Sequence, residues 1–163
     1  MEGWIIAGIL GIVLFWAIVI YNRFVSLRAQ GDSSWSDIDV QLKRRHNLIP
    51  NLVETVKGYA THEKETLERV VNARQLGIDA STVHEQEAAE SSLTAALRQI
   101  FALAEAYPDL KASANFLELK TRLSEIEDAI QNARRYYNAV VRDYNTKVDS
   151  FPALAIARMF SFK

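Results

Sequence analysis

The feature that most constrains this chain is the unbroken apolar run at residues 4–21, WIIAGILGIVLFWAIVIY. It contains no charged or amide side chain, and its only hydroxyl group belongs to Tyr21. As a helix these residues extend about 27 Å, which crosses most of the hydrocarbon core of a bilayer. Aromatic residues toward its ends suit the membrane–water interfaces. We predict a transmembrane helix, called the span below, with the marker residues Trp4, Ile5, Gly8, Gly11, Phe15, Trp16 and Tyr21.

The flanks of the span predict an uncleaved anchor rather than a signal peptide. A signal peptide starts with basic residues and ends at a small-residue cleavage site, whereas Glu2 precedes this run and YNRF closes it. Ala7 and Gly11 have the spacing that lets two spans pack closely, but small residues are common in spans, so this spacing alone does not predict self-association. The positive-inside bias predicts an N-terminus outside and a cytoplasmic body, because the basic residues follow the span: Arg23, Arg28, Lys43, Arg44 and Arg45.

The chain beyond the span has the composition of one helical domain. Of the 19 basic and 20 acidic residues, only Glu2 precedes residue 22, so the remainder carries 19 of each sign and no net charge. A nucleic-acid surface needs a clustered basic excess, so no nucleic-acid partner is predicted. Three prolines and few glycines favour long helices, and the absence of cysteine excludes a disulfide framework.

Apolar residues at three-four spacing mark three long stripes, over residues 35–70, 83–107 and 116–148. We predict that GDSS at residues 31–34 interrupts the helix that carries the span and caps the next one, so that a short neck follows the span. Pro50 lies inside the first stripe, so the helix either kinks or restarts there.

The connections between the stripes are short. Residues 77–84 form the first, with Ser81 or Thr82 as the N-cap of the next helix, and Tyr107-Pro108 marks a corner before the third. Short connections place successive helices antiparallel. The predicted fold is all-α, with an N-terminal transmembrane helix followed by an elongated antiparallel up-and-down bundle of three to four long helices. We assign residues 1–30 to the anchor and neck, 31–150 to the bundle and 151–163 to a tail.

Polar residues interrupt the first stripe at Arg45, Glu63 and Arg74. Polar side chains within a helix seam usually fix register by pairing with a neighbouring helix, and we favour that role over ligand binding.

The tail combines apolar side chains with two cations, Arg158 and Lys163. A short helix starting near Pro152 has three possible locations: against the bundle, in a membrane interface, or against another subunit. The candidate contact residues are Phe151, Met159, Phe160 and Phe162.

The sequence contains no recognisable catalytic motif. Two His-Glu dipeptides, at His62 and His84, lack the second histidine of the HExxH zinc motif. His46 has no recognisable partner set for a metal, and we expect it to be solvated. A nucleophile elbow, a phosphate loop and a dinucleotide fingerprint are also absent. We therefore predict no catalytic residue, no metal ligand, no cofactor and no enzymatic activity.

Three segments of the chain resemble the LemA family of bacterial membrane proteins. These are QLKRRHNLIPNLVETVKGYATHE at 41–63, AEAYPDLKASANFLELKTRLSEIED at 104–128 and ARRYYNAVVRDYNTKVDSFP at 133–152. Together with the apolar N-terminus, the resemblance covers nearly the whole chain. The one departure is His46, where the family pattern leads us to expect aspartate.

The resemblance implies a single-pass protein of the bacterial inner membrane with a cytoplasmic helical bundle and no established enzymatic activity. It implies structural roles for the matched residues Pro50, Asn51, Tyr107, Pro108, Tyr137 and Asn138. Arg45, Glu127 and Arg134 are expected to complete a polar layer with Glu63 and Arg74, with an exposed partner site as the alternative.

Two functions remain open at this point. The first is a membrane-anchored scaffold that self-assembles into a homo-oligomer, since a bundle on a single span offers large side surfaces. The alternative is an adaptor or sensor whose bundle binds another membrane protein, such as the zinc membrane protease that is often encoded near LemA-family members.

Overall fold

The computed structural model describes residues 2–162, and their regular secondary structure is entirely helical. The predicted all-α fold, with an apolar N-terminal helix followed by a bundle, is confirmed. The six helices are α1 (Glu2–Lys57), α2 (Lys64–Asp79), α3 (Val83–Ala104), α4 (Pro108–Ala112), α5 (Ala114–Asp149) and α6 (Ala153–Met159).

The first of two compact units comprises residues 2–39 and 131–162 of the described chain. Here α1 and α5 run antiparallel, because the Trp35 ring lies 5.4 Å from Tyr137 while Phe24 lies 6.3 Å from Tyr144. The short helix α6 packs on α1 through Ala153 and Ala157, which are buried against Phe24. Four tail residues therefore share a small apolar core with the helix that carries the span: Ala153, Ile156, Ala157 and Phe162.

The second unit is Val40–Ile130 and holds the larger core. It contains the end of α1, all of α2, α3 and α4, and the beginning of α5. Each long helix contributes side chains at three-four spacing, which places them on one face. The completely buried ones are Ile49, Leu52, Val56, Val70, Leu93, Ile100, Leu110 and Ile130.

The predicted connection at residues 77–84 is shorter in the structure, because α2 continues to Asp79 and α3 begins at Val83. Thr82 is the N-cap of α3 and forms a reciprocal capping box with Glu85. The Thr82 side chain accepts from the Glu85 backbone N–H, and the Glu85 side chain accepts from the Thr82 backbone N–H. Tyr107 is extended and precedes Pro108 at the start of α4. The long third helix and the short tail helix were also predicted close to their observed positions.

The predicted interruption at residues 31–34 is wrong, because α1 continues through it. The hydroxyl of Ser34 donates to the carbonyl oxygen of Gly31 at 2.9 Å, and that of Ser36 donates to Asp32 at 3.1 Å. These bonds point back along the same helix instead of capping a new one. Burial of Leu27, Ser34 and Ile38 on one face keeps the segment helical despite the glycine.

Of the two alternatives at Pro50, a kink or a restart, the restart is wrong, since Pro50 lies inside α1. The break comes later, at residues 58–63, where the first stripe was predicted to continue. There Ala60 donates to the Val56 carbonyl at 2.8 Å, and Glu63 donates to the Ala60 carbonyl at 3.2 Å, which turns the chain into α2. The stripe continues because both helices face the same core.

Candidate functional site

The centre of the second unit is a buried polar network around Arg45 of α1. The Arg45 side chain is 3% exposed, and its Nη1 donates to Glu127 Oε2 of α5 at 2.5 Å. Its Nη2 donates to Thr94 Oγ1 at 2.8 Å and to the Glu90 carbonyl at 3.1 Å, both on α3. The same Nη2 lies 3.2 Å from Glu90 Oε2. One guanidinium therefore joins three helices.

Glu90 forms the second half of this network through its other carboxylate oxygen. Oε1 lies 2.7 Å from His46 Nε2 and accepts from the Gln86 amide at 3.1 Å. Glu90 and His46 are both buried. The Gln86 amide also donates to the Gly77 carbonyl at 3.2 Å, which connects α3 to α2.

Gly77 makes room for this pair. A Cβ atom added there would lie 2.9 Å from His46 Nε2 and 3.0 Å from Glu90 Oε1. Such distances are too short for a carbon without displacing a buried side chain. Glycine is therefore needed here for close approach of α2 to the network, since its backbone conformation is ordinary helix.

Arg74 of α2 satisfies a backbone group that Pro50 leaves without its usual donor. In a helix, the carbonyl of His46 would accept from the N–H of residue 50, but proline has no N–H. Instead, Arg74 Nε donates to the His46 carbonyl at 2.8 Å. A charged side chain thus replaces the missing helix hydrogen bond and fixes α2 against α1.

This arrangement is suited to fixing helix register rather than to chemistry on a substrate. Its charges are paired, and within residues 2–162 no group of histidines and carboxylates is placed to hold a metal ion. Buried ion pairs add little net stability but penalise packings that leave one partner alone. We therefore regard the network as the device that specifies how the helices of this unit align.

The proposed polar layer is divided among separate places. Arg45 and Glu127 are brought together, and Arg74 joins them through the His46 carbonyl. Glu63 lies elsewhere in the same unit, where it accepts from the Tyr107 hydroxyl at 3.1 Å. That hydrogen bond raises the pKa of Tyr107, because the carboxylate stabilises the protonated phenol. Arg134 belongs to the first unit and makes no ion pair or hydrogen bond with another described residue.

Two central members of the network were not predicted. The expectation that His46 is solvated is wrong, because the residue is 6% exposed and bonded to Glu90. Glu90 was not considered at all, although it precedes Leu93 and Leu97 on the same face of α3. A carboxylate in an otherwise apolar stripe was the signal that would have identified it.

A sequence model of the LemA family matches residues 34–163. The chain belongs to the LemA family. It is 29% identical to Protein LemA of Metamycoplasma hominis over 92% of this chain and 70% of that protein. It is 25% identical to Magnetosome protein MamQ 2 of Paramagnetospirillum magneticum over 97% of this chain and 68% of that protein. Magnetosome protein MamQ of Magnetospirillum gryphiswaldense is 23% identical, over 88% and 62% respectively.

The LemA-family motif residues occupy structurally distinct positions. Pro50 is inside α1, and the carbonyl of Asn51 accepts from the Thr55 hydroxyl at 2.8 Å. Tyr107 and Pro108 form the corner into α4. Tyr137 packs on Trp35 in the first unit, next to the exposed Asn138.

The apolar N-terminal segment of this LemA-family chain lies outside both cores, apart from Ile20, which packs against the smaller one. Its most apolar 18-residue window has a mean hydropathy of 2.6 and no buried residue, so α1 is long and apolar enough to cross a membrane. The bulky span residues Trp4, Ile5, Phe15, Trp16 and Tyr21 are all exposed. In the tail, Phe151, Met159 and Phe160 are exposed, whereas Phe162 packs on Phe24.

Proposed function

We propose that this LemA-family protein is a membrane-anchored scaffold that self-assembles through its bundle. The exposed apolar start of α1 carries the membrane part of this proposal. Side chains such as Trp4 and Phe15 have no protein partner to cover them, and the apolar segment that contains them is long enough to cross a bilayer. All of the basic residues follow the span and none precedes it, and this asymmetry supports a cytoplasmic body at the bacterial inner membrane.

The self-assembly part is supported by an exposed apolar patch at the α2–α3 turn. Leu76, Ile78 and Val83 are 60%, 47% and 60% exposed, and they lie within eight residues of one another. We infer that a second copy, related by two-fold symmetry, covers these exposed side chains at one end of the α2–α3 hairpin. Because the sequence beyond residue 21 carries no net charge, copies do not repel each other at long range.

Cysteine crosslinking in membranes tests this proposal, because the chain has no cysteine of its own. We expect Ile78→Cys to form a disulfide-linked dimer on mild oxidation. Ser91→Cys, an exposed position on α3 outside the patch, is the matched control and should remain monomeric. Equal dimer yields from the two variants, or none from Ile78→Cys, would contradict assembly through this patch.

The adaptor function is favoured by one separate observation, a groove between the end of α1 and α2. Its volume is about 520 Å³, and its floor includes Val53, Leu67 and Val71. Lys57 and Lys64 line it together with one acid, Glu68. The two lysines outnumber the single acid, and this positive charge beside an apolar floor favours an acidic, partly apolar segment of another membrane protein. Reversing both lysines to glutamate should then abolish co-purification of that partner without changing self-association; co-purification that survives the reversal would contradict the adaptor.

A further inference from the structure

A second apolar groove lies in the first unit, between the span and the tail helix. It is lined by Leu14, Ala17, Ile18, Tyr21, Met159 and Phe160 and has a volume of about 310 Å³. The lining has almost no polar atom. Volumes of this size are at the lower end of those that bind small apolar ligands.

The tail is held at this groove by aromatic contacts. The Phe160 ring lies 4.9 Å from Tyr21, and the Phe162 ring lies 5.4 Å from Tyr21 and 5.0 Å from Phe24. The start of α6 is buried against Phe24, and the groove at its other end is lined by Leu14. The helix therefore runs along α1 from the level of Phe24 toward the level of Leu14. Met159 and Phe160 nevertheless remain 67% and 51% exposed.

The position of the groove along α1 identifies its surroundings, provided that residues 4–21 cross the membrane as proposed above. Tyr21 is then at the interface, and Ile18 and Leu14 lie about 4.5 Å and 10.5 Å further along the helix axis, within the hydrocarbon. Two cationic side chains are exposed nearby in the sequence. Arg23 follows Tyr21, on the side away from the span, and Arg158 lies at the end of α6. Such side chains extend toward lipid phosphates.

We propose that the α1–α6 groove binds one acyl chain of an anionic bilayer phospholipid, and that the tail inserts into the same leaflet as a second membrane contact. The groove wall is made by the span itself, so lipid is the medium that fills it. Met159 and Phe160 supply the apolar contact, while Arg23 and Arg158 pair with the headgroup. The assignment goes beyond anchoring, because it makes the C-terminal end of the chain a membrane-binding element.

Depth measurements with nitroxide labels test the insertion, using full-length protein in vesicles of phosphatidylethanolamine and phosphatidylglycerol. Three single-cysteine variants are labelled: Met159→Cys in the tail, Ile12→Cys in the span and Ser91→Cys on the bundle. Oxygen concentrates in the bilayer and a nickel chelate in water, so their relative collision rates report depth. We expect Met159→Cys and Ile12→Cys to favour oxygen and Ser91→Cys to favour nickel.

The control positions separate failure of this proposal from failure of the anchor. If Ile12→Cys favours oxygen while Met159→Cys behaves like Ser91→Cys, the tail does not insert and the proposal is overturned, although the anchor stands. If Ile12→Cys itself favours the nickel chelate, the span is not in the membrane and both proposals are overturned.

Occupancy of the groove is tested with phosphatidylglycerol that carries a photoreactive diazirine in one acyl chain. The readout is label on residues 159–163, which trypsin releases after Arg158. Ala17→Trp fills the groove, and Val19→Trp, which lies outside the groove lining, is the matched control. We expect Ala17→Trp to lower labelling strongly, because the indole occupies the volume in which the acyl chain would lie, and Val19→Trp to leave it unchanged. Unchanged labelling in Ala17→Trp, or an equal loss in both variants, would overturn the proposal.

Discussion

The relation between Pro50 and Arg74 allows a quantitative test of how α2 is fixed to α1. Replacing Arg74 by methionine removes the 2.8 Å donor of the His46 carbonyl while keeping much of the side-chain volume. A hydrogen bond from a charged group to a partly buried carbonyl contributes about 1.5–3 kcal/mol. For a chain of this size that predicts a melting temperature lowered by roughly 3–12 °C.

The same substitution should matter less when residue 50 is alanine. Pro50→Ala restores a backbone N–H that reaches the His46 carbonyl within the helix, so the carbonyl no longer depends on Arg74. We expect Arg74→Met to cost under about 1 kcal/mol in that background, giving a coupling energy of about 1–2 kcal/mol. Arg69→Met, which breaks only the exposed pair with Glu65, is the control and should cost under about 0.5 kcal/mol.

Thermal unfolding followed by circular dichroism at the helix band, in one mild detergent, measures all of these variants. Equal losses for Arg74→Met in the two backgrounds would refute the reasoning, since the arginine would then act independently of the proline. A loss no larger than that of Arg69→Met would show that the His46 carbonyl is satisfied in another way.

Other parts of the structure give further predictions. Glu90→Leu should lower the free energy of unfolding by about 1–3 kcal/mol in denaturant titrations, because it removes one of the two carboxylates on buried Arg45 and the hydrogen-bond partner of buried His46; an unchanged midpoint would contradict the network. Gly77→Ala should cost about 1–3 kcal/mol in the same assay because its Cβ would meet His46 at 2.9 Å, and an unchanged midpoint would contradict that close approach. Gly31→Ala should stabilise by about 0.5–1 kcal/mol, since its Cβ enters open space inside a continuous helix; destabilisation would favour a neck. Capping hydrogen bonds from Ser81 and Thr82 lower the pKa of Glu85 below its ordinary 4.5, so the stability it contributes is present above that pH and is lost as pH falls through the lowered pKa. Glu85→Gln should weaken this acid dependence in melting curves, and identical pH profiles would refute it.

Periodicity was sufficient for the long helices and for the boundaries that have local signals. The stripe from Phe116 to Val148 corresponds to α5, whose buried residues recur on one face. Thr82 and Pro108 act through their nearest neighbours in the chain, so sequence alone identifies them. The span is equally local, because its length and composition decide the prediction.

The incorrect predictions concern segments whose structure depends on distant contacts. Glycine and serine at residues 31–34 normally end helices, but burial of neighbouring side chains keeps α1 intact. Pro50 is tolerated because Arg74 comes from another helix to complete the hydrogen bonding. His46 is buried because Glu90 lies opposite it and Gly77 leaves space. None of these partners is adjacent in sequence. Sequence patterns alone therefore predict for each residue the role that is most common for its residue type, such as a helix end for glycine or proline and a solvated side chain for histidine.

The division of the chain into anchor, bundle and tail, and the orientation across the membrane, stay predictions. An externally accessible label on Glu2→Cys in intact cells, with Ser91→Cys protected until lysis, is the pattern expected for a cytoplasmic bundle. The opposite pattern would reverse the orientation.

The most direct test of the scaffold proposal is the mass of the intact full-length protein extracted into lipid nanodiscs and measured by native mass spectrometry. We expect a discrete multiple of the single-chain mass, which Leu76→Glu in the exposed α2–α3 patch reduces to one chain. A single-chain mass for the unaltered protein at micromolar concentration would contradict self-assembly and leave the adaptor as the better explanation.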